Sequence, residues 1–517
     1  MTSPPSAPGN VAPNPGAIER APAAEVAPTP LDAIAGMLAR ARAAQTLWSD
    51  LPLYERVSAI SKVRRNALAD AMGVAQLLRQ ETGKPIEEAL TAEVLAIADL
   101  LDYWVASIEA QLEPTDVLPD PMFFPSKRGR VERAPRGVIA VITPWNFPLA
   151  IPLRTIVPAL MAGNAVIFKP SEHAPHVGAL IASWFEPVLP PGLLQVVQGG
   201  AEAASRIIEG GVDAVCFTGG AESGRKVAVA CAQRLVPCSL ELGGKDAAIV
   251  LADARLERTA RGIAWGAFNN SGQNCASIER VYVDKRIADA FLARLVAVTS
   301  QLRPGVDFGT MTTRAQFEAA RAKLDEALAQ GGQLLVGGSP TGESLSFPPT
   351  IVRAPNDTCS LMTEETFGPV LSVVLVDSVQ QAISSVNSSR FGLTASIWSK
   401  SVGKAQRLAR QLRTGVVTIN NHGFTAALAM APWSGTKDSG YGVTNGPLAL
   451  DFLTRPFFVL ADKSTSSREL WWHPYTPTLR SAGVALAKAR GGAGFFGRIA
   501  AILALILLLP KRMLADR

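Results

Sequence analysis

Three side chains that could carry chemistry lie in short loops rich in glycine, asparagine or proline. Cys275 ends the segment Gly-Gln-Asn-Cys, Glu241 begins Glu-Leu-Gly-Gly-Lys, and Asn146 lies within Pro-Trp-Asn-Phe-Pro. A thiol can attack a carbonyl carbon, an amide N–H can stabilise the resulting oxyanion, and a carboxylate can activate water. Taken singly, a cysteine is more often a small buried hydrophobe, and an asparagine next to proline a turn residue. The elements that position the three loops therefore decide whether they form one site.

A parallel β-sheet covered by helices is the framework that the sequence predicts for these loops. Residues 31–112 have helical apolar spacing, and from Gly137 onward short apolar runs alternate with helix-length segments. The runs lie at 138–143, 165–168, 193–197, 214–217 and 247–251. Because ligands gather at the carboxyl ends of strands in such sheets, the loop of Asn146, which follows the first run, is a candidate site.

Two glycine-rich segments differ in their value as phosphate sites. Residues 219–224 follow one apolar run and open a helix-length segment, so backbone N–H groups at a helix N-terminus could face a pyrophosphate. A plain strand–turn–helix connection is the alternative for this segment. Residues 492–497 spell G-x-G-x-x-G, but they follow no predicted strand and too little chain remains for a βαβ unit. The second segment is therefore excluded.

Charge and composition exclude two classes of function. From Arg480 onward seven basic residues stand against one acidic residue, which accounts for the whole net charge of +6. A neutral body disfavours a protein that coats nucleic acid. Five cysteines without a CxxC pair favour a reducing compartment, so we expect a cytoplasmic protein. The four histidines lack the spacing of metal ligands, and no metal site is predicted.

The two ends of the chain differ from the body. Residues 1–30 contain eight prolines and no apolar signal segment, which predicts a disordered lead. Residues 499–510 are apolar without interruption, yet a transmembrane helix needs about 20 residues. Basic residues flank this run, which favours an interfacial helix and peripheral or monotopic membrane attachment through residues 491–517. The alternative is a helix docked on the protein's own surface.

Together, the segments resemble the aldehyde dehydrogenase superfamily over about residues 31–472. The resemblance rests on PWNFP, KPSE at 169–172, FTG at 217–219, ELGGK, GQNC and EETFGPV, in that order. It implies an α/β fold with a Rossmann-like cofactor domain, an α/β catalytic domain and a small β arm for oligomerisation. It also implies NAD as cofactor, with NADP as the alternative, an aldehyde substrate, and a homodimer or homotetramer.

The resemblance carries roles onto matching positions. Cys275 is the expected nucleophile, Asn146 and the Cys275 backbone N–H the oxyanion hole, and Glu241 the base that activates water to hydrolyse a thioester. Lys169 and Glu172 are expected at the adenosine ribose. The remaining cofactor contacts are expected from Trp145, Gly219, Gly220, Gly224, Leu242, Glu365 and Phe367.

Some positions depart from the family pattern. Gly220 replaces a usual serine, and Arg154-Thr155 replaces a usual Trp-Lys pair, which predicts weaker or altered cofactor binding. Residues 171–174, 245–247 and 470–475 are similar to the membrane-associated class of plants and fungi.

These patterns predict a domain layout and a function. A NAD-binding domain comprises 31–125 and 143–240, a catalytic domain 241–430, the arm 126–142 and 447–475, and a basic apolar tail 480–517. The expected function is NAD-dependent oxidation of an apolar or lipid-derived aldehyde to its acid. The alternatives are a soluble semialdehyde dehydrogenase and, in another class, a non-enzymatic membrane-tethered scaffold with the same fold.

Overall fold

Strands and helices alternate through most of the chain, as the apolar runs predict. The computed structural model describes residues 26–514 except 121–123, 125, 339, 341–343, 468 and 470. Most of the predicted disordered lead therefore lies outside the described residues. Its last described residues are packed, because Thr29 N–H donates to the Gln198 carbonyl and Thr29 Oγ1 accepts from Gln198 N–H, both at 3.0 Å. The prediction of disorder through residue 30 is wrong for this part.

The described strands are numbered in chain order. They are β1 (Thr115–Val117), β2 (Lys127–Pro135), β3 (Val138–Ile142), β4 (Ala165–Lys169), β5 (Leu194–Val196), β6 (Ala214–Gly219), β7 (Cys238–Leu242), β8 (Asp246–Val250), β9 (Ile278–Asp284), β10 (Gln333–Val336), β11 (Thr350–Arg353), β12 (Val370–Val376), β13 (Phe391–Gly392), β14 (Thr394–Trp398), β15 (Val416–Ile419), β16 (Thr436–Lys437), β17 (Gly440–Tyr441) and β18 (Thr454–Asp462).

The described α-helices follow the same numbering. They are α1 (Ala33–Ser49), α2 (Leu53–Ser61), α3 (Val63–Leu68), α4 (Ala71–Thr82), α5 (Ile86–Ala89), α6 (Leu95–Leu112), α7 (Ala150–Met161), α8 (Pro175–Phe185), α9 (Ala201–Glu209), α10 (Ala221–Gln233), α11 (Leu256–Phe268), α12 (Ala288–Ser300), α13 (Arg314–Ala329), α14 (Ser360–Thr363), α15 (Val379–Ser388), α16 (Val402–Ala409), α17 (Ala449–Leu453), α18 (Pro477–Ala487) and α19 (Phe495–Leu514). Short 3₁₀ helices lie at Asn269–Gly272, Lys285–Ile287 and Thr425–Ala427, and π-helical turns at Leu90–Val94 and Lys488–Gly492.

A six-stranded sheet follows the Rossmann-like prediction. Its order is β17-β7-β6-β3-β4-β5, and only β17 is antiparallel to its neighbour. Every residue of β3 and β4 is buried, because helices cover both faces of the sheet. The register pairs Ile142 with both Lys169 and Phe217, and Thr218 with Glu241. The carboxyl ends of β3, β4, β6 and β7 therefore reach the same edge.

A seven-stranded sheet follows, in the order β10-β11-β12-β9-β8-β14-β15, with only β10 antiparallel. The short segment from Gly243 to Lys245 joins β7 of the first sheet to β8 of the second. Cys275 comes just before β9 and Glu365 just before β12. This sheet thus presents the amino ends of its strands to the site, whereas the first sheet presents carboxyl ends.

The chain divides into two compact units. The first comprises Met1–Glu113 and Arg133–Phe457 and contains the six- and seven-stranded sheets. The second comprises Pro114–Glu132 and Phe458–Arg517 and contains β1, parts of β2 and β18, and helices α18 and α19. The predicted arm segment 126–142 extends too far, because β3 lies inside the six-stranded sheet.

The second unit ends in a pair of helices. Ala482 and Ala485 of α18 pack against Leu505 of α19. Among the described residues, none of the helices combines the length and apolarity needed to cross a membrane. The side chains of Lys511 and Arg512 lie outside the described part of the tail.

Candidate active site

The loop that carries Cys275, residues 269–275, has a strained backbone. Asn270 and Ser271 have left-handed φ angles of 52° and 54°, which are costly for residues other than glycine. Gly272 has φ 70°, and a Cβ there would lie 2.2 Å from the Gly368 carbonyl oxygen. Only glycine fits at this position, so this part of the GQNC motif has a steric reason.

Hydrogen bonds from buried side chains hold this loop. Asn270 Nδ2 donates to the carbonyls of Asn146 and Gln273 at 2.9 and 3.0 Å. Gln273 Nε2 donates back to the Asn270 carbonyl at 3.1 Å, while its Oε1 accepts from Thr312 N–H at 2.7 Å. Glu88 accepts from the Asn270 N–H. The strained conformation is therefore fixed from several sides, as expected where a loop must aim one side chain.

Asn146 is buried and lies directly beside the Cys275 loop. Its Nδ2 donates to the Gln273 carbonyl at 3.1 Å, which uses one of two N–H groups. Its Oδ1 is buried without a hydrogen-bond partner among the described residues. Lys84 Nζ donates to the Asn146 carbonyl at 2.9 Å and forms a buried ion pair with Glu93. The backbone of Asn146 is thereby fixed independently of its side chain.

Two cavities meet at Cys275. The first, of about 280 Å³, lies along the carboxyl ends of β6 and β7. The second, of about 580 Å³, extends among α5, α6, α7 and α11. Ile151, Arg154 and Cys275 line both cavities. A molecule in either cavity can therefore approach the thiol.

The first cavity brings together most of the predicted site residues. The nine that line it are Trp145, Asn146, Gly219, Gly220, Glu241, Leu242, Cys275, Glu365 and Phe367. Lys169, Glu172 and Gly224 do not line it.

Glu241 is the penultimate residue of β7 and is buried beside this cavity. Neither carboxylate oxygen has a hydrogen bond of good geometry to a described residue. Burial raises the pKa of Glu241 well above its ordinary value, and the nearby guanidinium of Arg154 and indole of Trp433 oppose that shift. A carboxyl with a raised pKa and free oxygens has the properties of a general base that works near neutral pH.

The Cys275 thiol is held mainly in its protonated form. Burial raises its pKa to about 12, and Arg154 acts in the opposite direction. The carboxyl groups of Asp246, Glu365 and Glu241 raise the pKa of the thiol further. A thiolate is the reactive form, so Cys275 depends on nearby positive charge or a base.

A glycine turn, Gly219 and Gly220, lines part of the first cavity. Gly220 precedes α10, no side chain caps that helix among the described residues, and a Cβ on Gly220 would meet nothing within 4 Å. This open helix N-terminus fits the pyrophosphate of a dinucleotide. Gly224 lies in the first turn of the same helix and has a packing role, because a Cβ there would lie 2.4 Å from Leu242 Cδ2; its predicted contact with the cofactor stays a prediction.

Glu365 and Phe367 also line the first cavity. Glu365 accepts a hydrogen bond from Gly244 N–H at 3.2 Å, and burial raises its pKa to about 8. The ring of Phe367 meets that of Trp145 edge-on, with centroids 5.6 Å apart. Phe367 has φ 50°, and its N–H donates to Glu279 at 2.9 Å. Glu279 in turn forms a buried ion pair, which fixes this turn.

Lys169 and Glu172 lie near the carboxyl end of β4. Lys169 Nζ donates to the Pro170 carbonyl at 2.8 Å and lies 3.7 Å from Glu172. The Glu172 side chain is about half exposed, at 54%. Lys169 is therefore buried and only Glu172 is exposed to solvent, and both lie outside the cavity that holds the other predicted residues.

Two residues near the thiol and the carboxylate were not predicted as site residues. Arg154 of α7 lines both cavities, and the only sequence signal was its departure from a motif. Trp433 packs with Ala276 and Cys275 in one apolar cluster, and it lies far along the chain from any motif. Among the described residues, no group of three or more His, Cys, Asp or Glu side chains could hold a metal ion.

A Rossmann-like sheet with an open helix N-terminus, joined to a second α/β sheet, is typical of nucleotide-dependent α/β enzymes. The model of the aldehyde dehydrogenase family matches residues 14–459, and the chain belongs to that family. The tail from Leu460 onward lies beyond the matched region.

Individual relatives agree with this membership. The chain is 38% identical over 444 residues to the 4,4'-diapolycopene aldehyde oxidase of Methylomonas sp, with 85% of this chain and 83% of the relative covered. It is 33% identical over 424 residues to the Mycobacterium tuberculosis protein named "Putative succinate-semialdehyde dehydrogenase [NADP(+)] 2", with 80% and 81% covered.

Solved structures share the fold. The NAD-dependent aldehyde dehydrogenase of Sinorhizobium meliloti is 31% identical with a TM-score of 0.81, covering 86% of this chain and 89% of that one. The NAD⁺ complex of the Bacillus cereus aldehyde dehydrogenase is 28% identical with a TM-score of 0.80, covering 84% and 89%. The chain is an oxidoreductase that acts on aldehydes with NAD(P), which replaces the scaffold alternative.

Proposed function

We propose that this chain oxidises an apolar, lipid-derived aldehyde to its carboxylic acid through a thioester on Cys275. The observation that carries the proposal is the position of Cys275 where a large apolar cavity meets the glycine-lined one. One cavity would hold the aldehyde and the other the cofactor, with the thiol between them.

The first step would be attack of the Cys275 sulfur on the aldehyde carbon. The carbonyl oxygen then becomes an oxyanion, which needs hydrogen-bond donors already in place. The second N–H of Asn146 Nδ2 and the Cys275 backbone N–H have no protein acceptor among the described residues. Both are therefore available to the oxyanion. The buried ion pair of Lys84 and Glu93 keeps the Asn146 backbone in position.

Gly220, Glu365 and Phe367 would hold NAD(P) along the first cavity. When bound, the nicotinamide ring supplies a hydride acceptor. The edge-on pair of Trp145 and Phe367 offers an apolar wall for such a ring, and the Glu365 carboxylate an acceptor for ribose hydroxyls.

Glu241 would complete the reaction by hydrolysis. Its free carboxylate oxygens can take a proton from water, and the hydroxide formed attacks the thioester carbon. The carbon–sulfur bond breaks, the acid leaves and the Cys275 thiolate is released. Because its pKa is raised, Glu241 is a stronger base than an exposed carboxylate.

The size and the apolar lining of the second cavity favour an aldehyde with a long apolar chain over a short semialdehyde as the substrate. Its volume of about 580 Å³ is within the ~300–1,000 Å³ of small-molecule pockets, and most of its lining is apolar, including Ile97, Leu100 and Phe268. Of the two arginines that line it, Arg154 lies beside the thiol and Arg261 is paired with Glu257 at 2.7 Å. Neither is a free anchor for a distant carboxylate.

A series of straight-chain aldehydes tests this substrate class. Each added methylene that enters the cavity should raise kcat/KM about fourfold, since burying one CH₂ is worth about 0.8 kcal/mol. The increase should stop when the cavity is full. A higher kcat/KM for succinate semialdehyde than for every long aldehyde would overturn the proposal in favour of the semialdehyde alternative.

Two variants test whether the hydrocarbon chain of the aldehyde lies in the second cavity. Trp265 and Phe424 line it with half-exposed side chains, so replacing either by alanine removes little of the core. Trp265→Ala and Phe424→Ala should lower kcat/KM for a long aldehyde and leave acetaldehyde unaffected. The exposed Leu235→Ala, which lines neither cavity, is the matched control. Equal losses for both aldehydes would contradict the assignment of this cavity.

We further propose that α19 binds an anionic membrane surface from the cytoplasmic side. Ile499, Ile502, Leu503, Ile506 and Leu507 are exposed on this helix at the spacing of one continuous face. The opposite side packs on α18, so the helix is docked and still leaves an apolar face open. Basic residues flank this face in the sequence, and each would gain about 1 kcal/mol near anionic headgroups. The narrower likeness to the membrane-associated plant and fungal class stays a prediction.

Vesicle sedimentation tests this attachment. The full chain should sediment with vesicles containing anionic lipid at low salt and remain in solution with neutral vesicles. Leu503→Glu with Ile506→Glu should abolish sedimentation, whereas Leu235→Glu, at another exposed leucine, should not. Failure of the unchanged protein to sediment would remove the proposal.

We also propose that the arm joins copies of this chain into a homodimer or homotetramer. Strand β18 lies at an edge of the sheet β1-β2-β18 and exposes Val459 and Leu460. An exposed apolar edge strand is a natural pairing surface. Light scattering should give a multiple of the 54.6 kDa chain mass, and a monomer would contradict the proposal.

A further inference from the structure

We propose that Arg154 is a shared counter-charge that the Cys275 thiolate and the Glu241 carboxylate use in turn. The inference rests on the proposed roles of those two residues, and it gives a function to the position where the chain departs from its family's motif. Arg154 lines both cavities where they meet, and Cys275 and Glu241 line the first of them with it.

The hydrogen bonds of Arg154 leave part of its guanidinium free. Its Nη1 donates to the Ala426 carbonyl at 3.0 Å, and Nε makes a long contact of 3.4 Å with the Ala150 carbonyl. Among the described residues, Nη2 has no acceptor and no carboxylate forms an ion pair with Arg154. A cation that is fixed but unpaired beside a thiol and a carboxyl is available to whichever of them is ionised.

Arg56 shows what a purely structural arginine looks like in this fold. It donates to the carbonyls of Met161, Ser49 and Leu51 at 3.0, 3.2 and 2.6 Å and lines neither cavity. Arg154 makes fewer bonds of this kind and faces the cavities instead. Helix packing alone therefore does not explain an arginine at this position.

The charges around Arg154 favour its interaction with one anion at a time, either Cys275 or Glu241. Asp246, Glu365 and Glu241 face Cys275 from three other elements, and each raises the pKa of the thiol. Of the charged groups among the described residues that act on Cys275, Arg154 alone lowers the pKa of the thiol. Arg154 is also the group that most strongly opposes the rise in the pKa of Glu241. The other anion near Arg154 is Glu93, which is already paired with a lysine.

The Cys275 thiolate and the Glu241 carboxylate need the positive charge of Arg154 at different stages of the reaction. In the first stage the thiol proton leaves to solvent, and the guanidinium stabilises the sulfur anion as it attacks. Once the sulfur is acylated it carries no charge. The same guanidinium is then free to favour the ionised form of Glu241, which takes a proton from water. Burial lowers the pKa of Arg154, but Cys275, Glu241 and Glu93 act in the opposite direction, and an arginine side chain is not deprotonated at neutral pH.

Two rates test this assignment, each with its own readout. The alkylation of Cys275 by iodoacetamide, followed on its peptide by mass spectrometry, reports the thiolate fraction. The decay of acyl-Cys275 formed from a p-nitrophenyl ester, followed on the intact protein, reports the base. Arg154→Gln and Arg154→Met should each slow both rates at pH 8. Alkylation should fall about tenfold or more, since a one-unit rise in a thiol pKa that already lies well above the pH is a tenfold loss of thiolate. The decay of acyl-Cys275 should also fall, because the pKa of Glu241 rises and less of the carboxylate is ionised.

The controls make the result decisive. Arg154→Lys keeps the charge and should retain most of both rates, and Arg56→Gln should leave both unchanged. Unchanged rates in the two neutral variants, or a loss confined to one step, would overturn the shared role. If neither neutral variant folds, the guanidinium serves the fold and the inference is also overturned. The proposed function fails separately, if Cys275→Ala still oxidises aldehydes.

Discussion

Replacing Asn146 by alanine should lower kcat strongly while the thermal midpoint of unfolding changes little. The backbone of Asn146 is held by Lys84 and Asn270 through its carbonyl, so the substitution leaves those bonds in place. What it removes is the side-chain amide, with one N–H bonded to the Gln273 carbonyl and one available to the oxyanion.

The effect of Asn146→Ala on stability should be small. Loss of the bond to the Gln273 carbonyl costs about 1 kcal/mol, but that carbonyl still accepts from Asn270 Nδ2 at 3.0 Å. The substitution also removes the buried Oδ1, which has no partner among the described residues and whose burial costs about 1–3 kcal/mol. The two contributions have opposite signs and similar size, so the thermal midpoint should move little.

The effect of Asn146→Ala on the reaction should be large. Removing one oxyanion donor typically lowers kcat about 10²–10³-fold, or about 3–4 kcal/mol of transition-state stabilisation. Single-turnover formation of NADH at saturating aldehyde measures this loss, and thermal unfolding measures stability in the same preparation. The control is Asn66→Ala, which removes an amide bonded to the Trp184 carbonyl at 3.0 Å away from both cavities. A loss of kcat below threefold, or one that merely follows a lower thermal midpoint, would refute the role.

Three further predictions concern the carboxyl groups of Glu241, Glu172 and Glu88. Glu241→Gln should give a burst of NADH followed by little turnover in a rapid-mixing experiment, because hydrolysis lacks its base; unchanged steady-state rates would refute this. Glu172→Gln should reduce a preference for NAD over NADP, measured as the ratio of kcat/KM values, because its half-exposed carboxylate repels a 2′-phosphate; a wild-type preference for NADP would contradict it. Burial raises the pKa of Glu88 to about 7, so ionising it costs stability as the pH rises from its ordinary pKa of 4.5 towards 7. The free energy of unfolding of Glu88→Gln should therefore rise relative to that of wild type between pH 5 and pH 8, by at most about 3 kcal/mol, and a constant difference would contradict the shift.

The sequence predicted the parts of the site that are local. Apolar runs identified β3, β4, β5, β6 and β8. Every residue of β3, β4 and β8 is buried, which explains their almost continuous apolar sequence, whereas β5 and part of β6 are half-buried. The loops of Asn146 and Cys275 could be identified because their strained or crowded backbones require particular residues, such as Gly272.

Features that depend on tertiary packing could not be predicted. Arg154 lies on α7, which packs on the six-stranded sheet, and Cys275 lies in a loop before β9 of the seven-stranded sheet. The sequence does not reveal that the two residues are close, because their proximity depends on how the two sheets pack. Trp433 reaches the same place from late in the chain. The boundary of the arm was misplaced for a similar reason, since β3 directly follows β2 and only strand pairing separates them.

Mass spectrometry of the trapped intermediate tests the central claim most directly. Glu241→Gln would be mixed with NAD and a long-chain aldehyde, quenched in acid and digested. The proposed mechanism predicts an acyl group on the peptide that contains Cys275, and none when Cys275→Ser is combined with the same variant. An unmodified Cys275 peptide while NADH is still formed, or an acyl group on another cysteine such as Cys238, would contradict it.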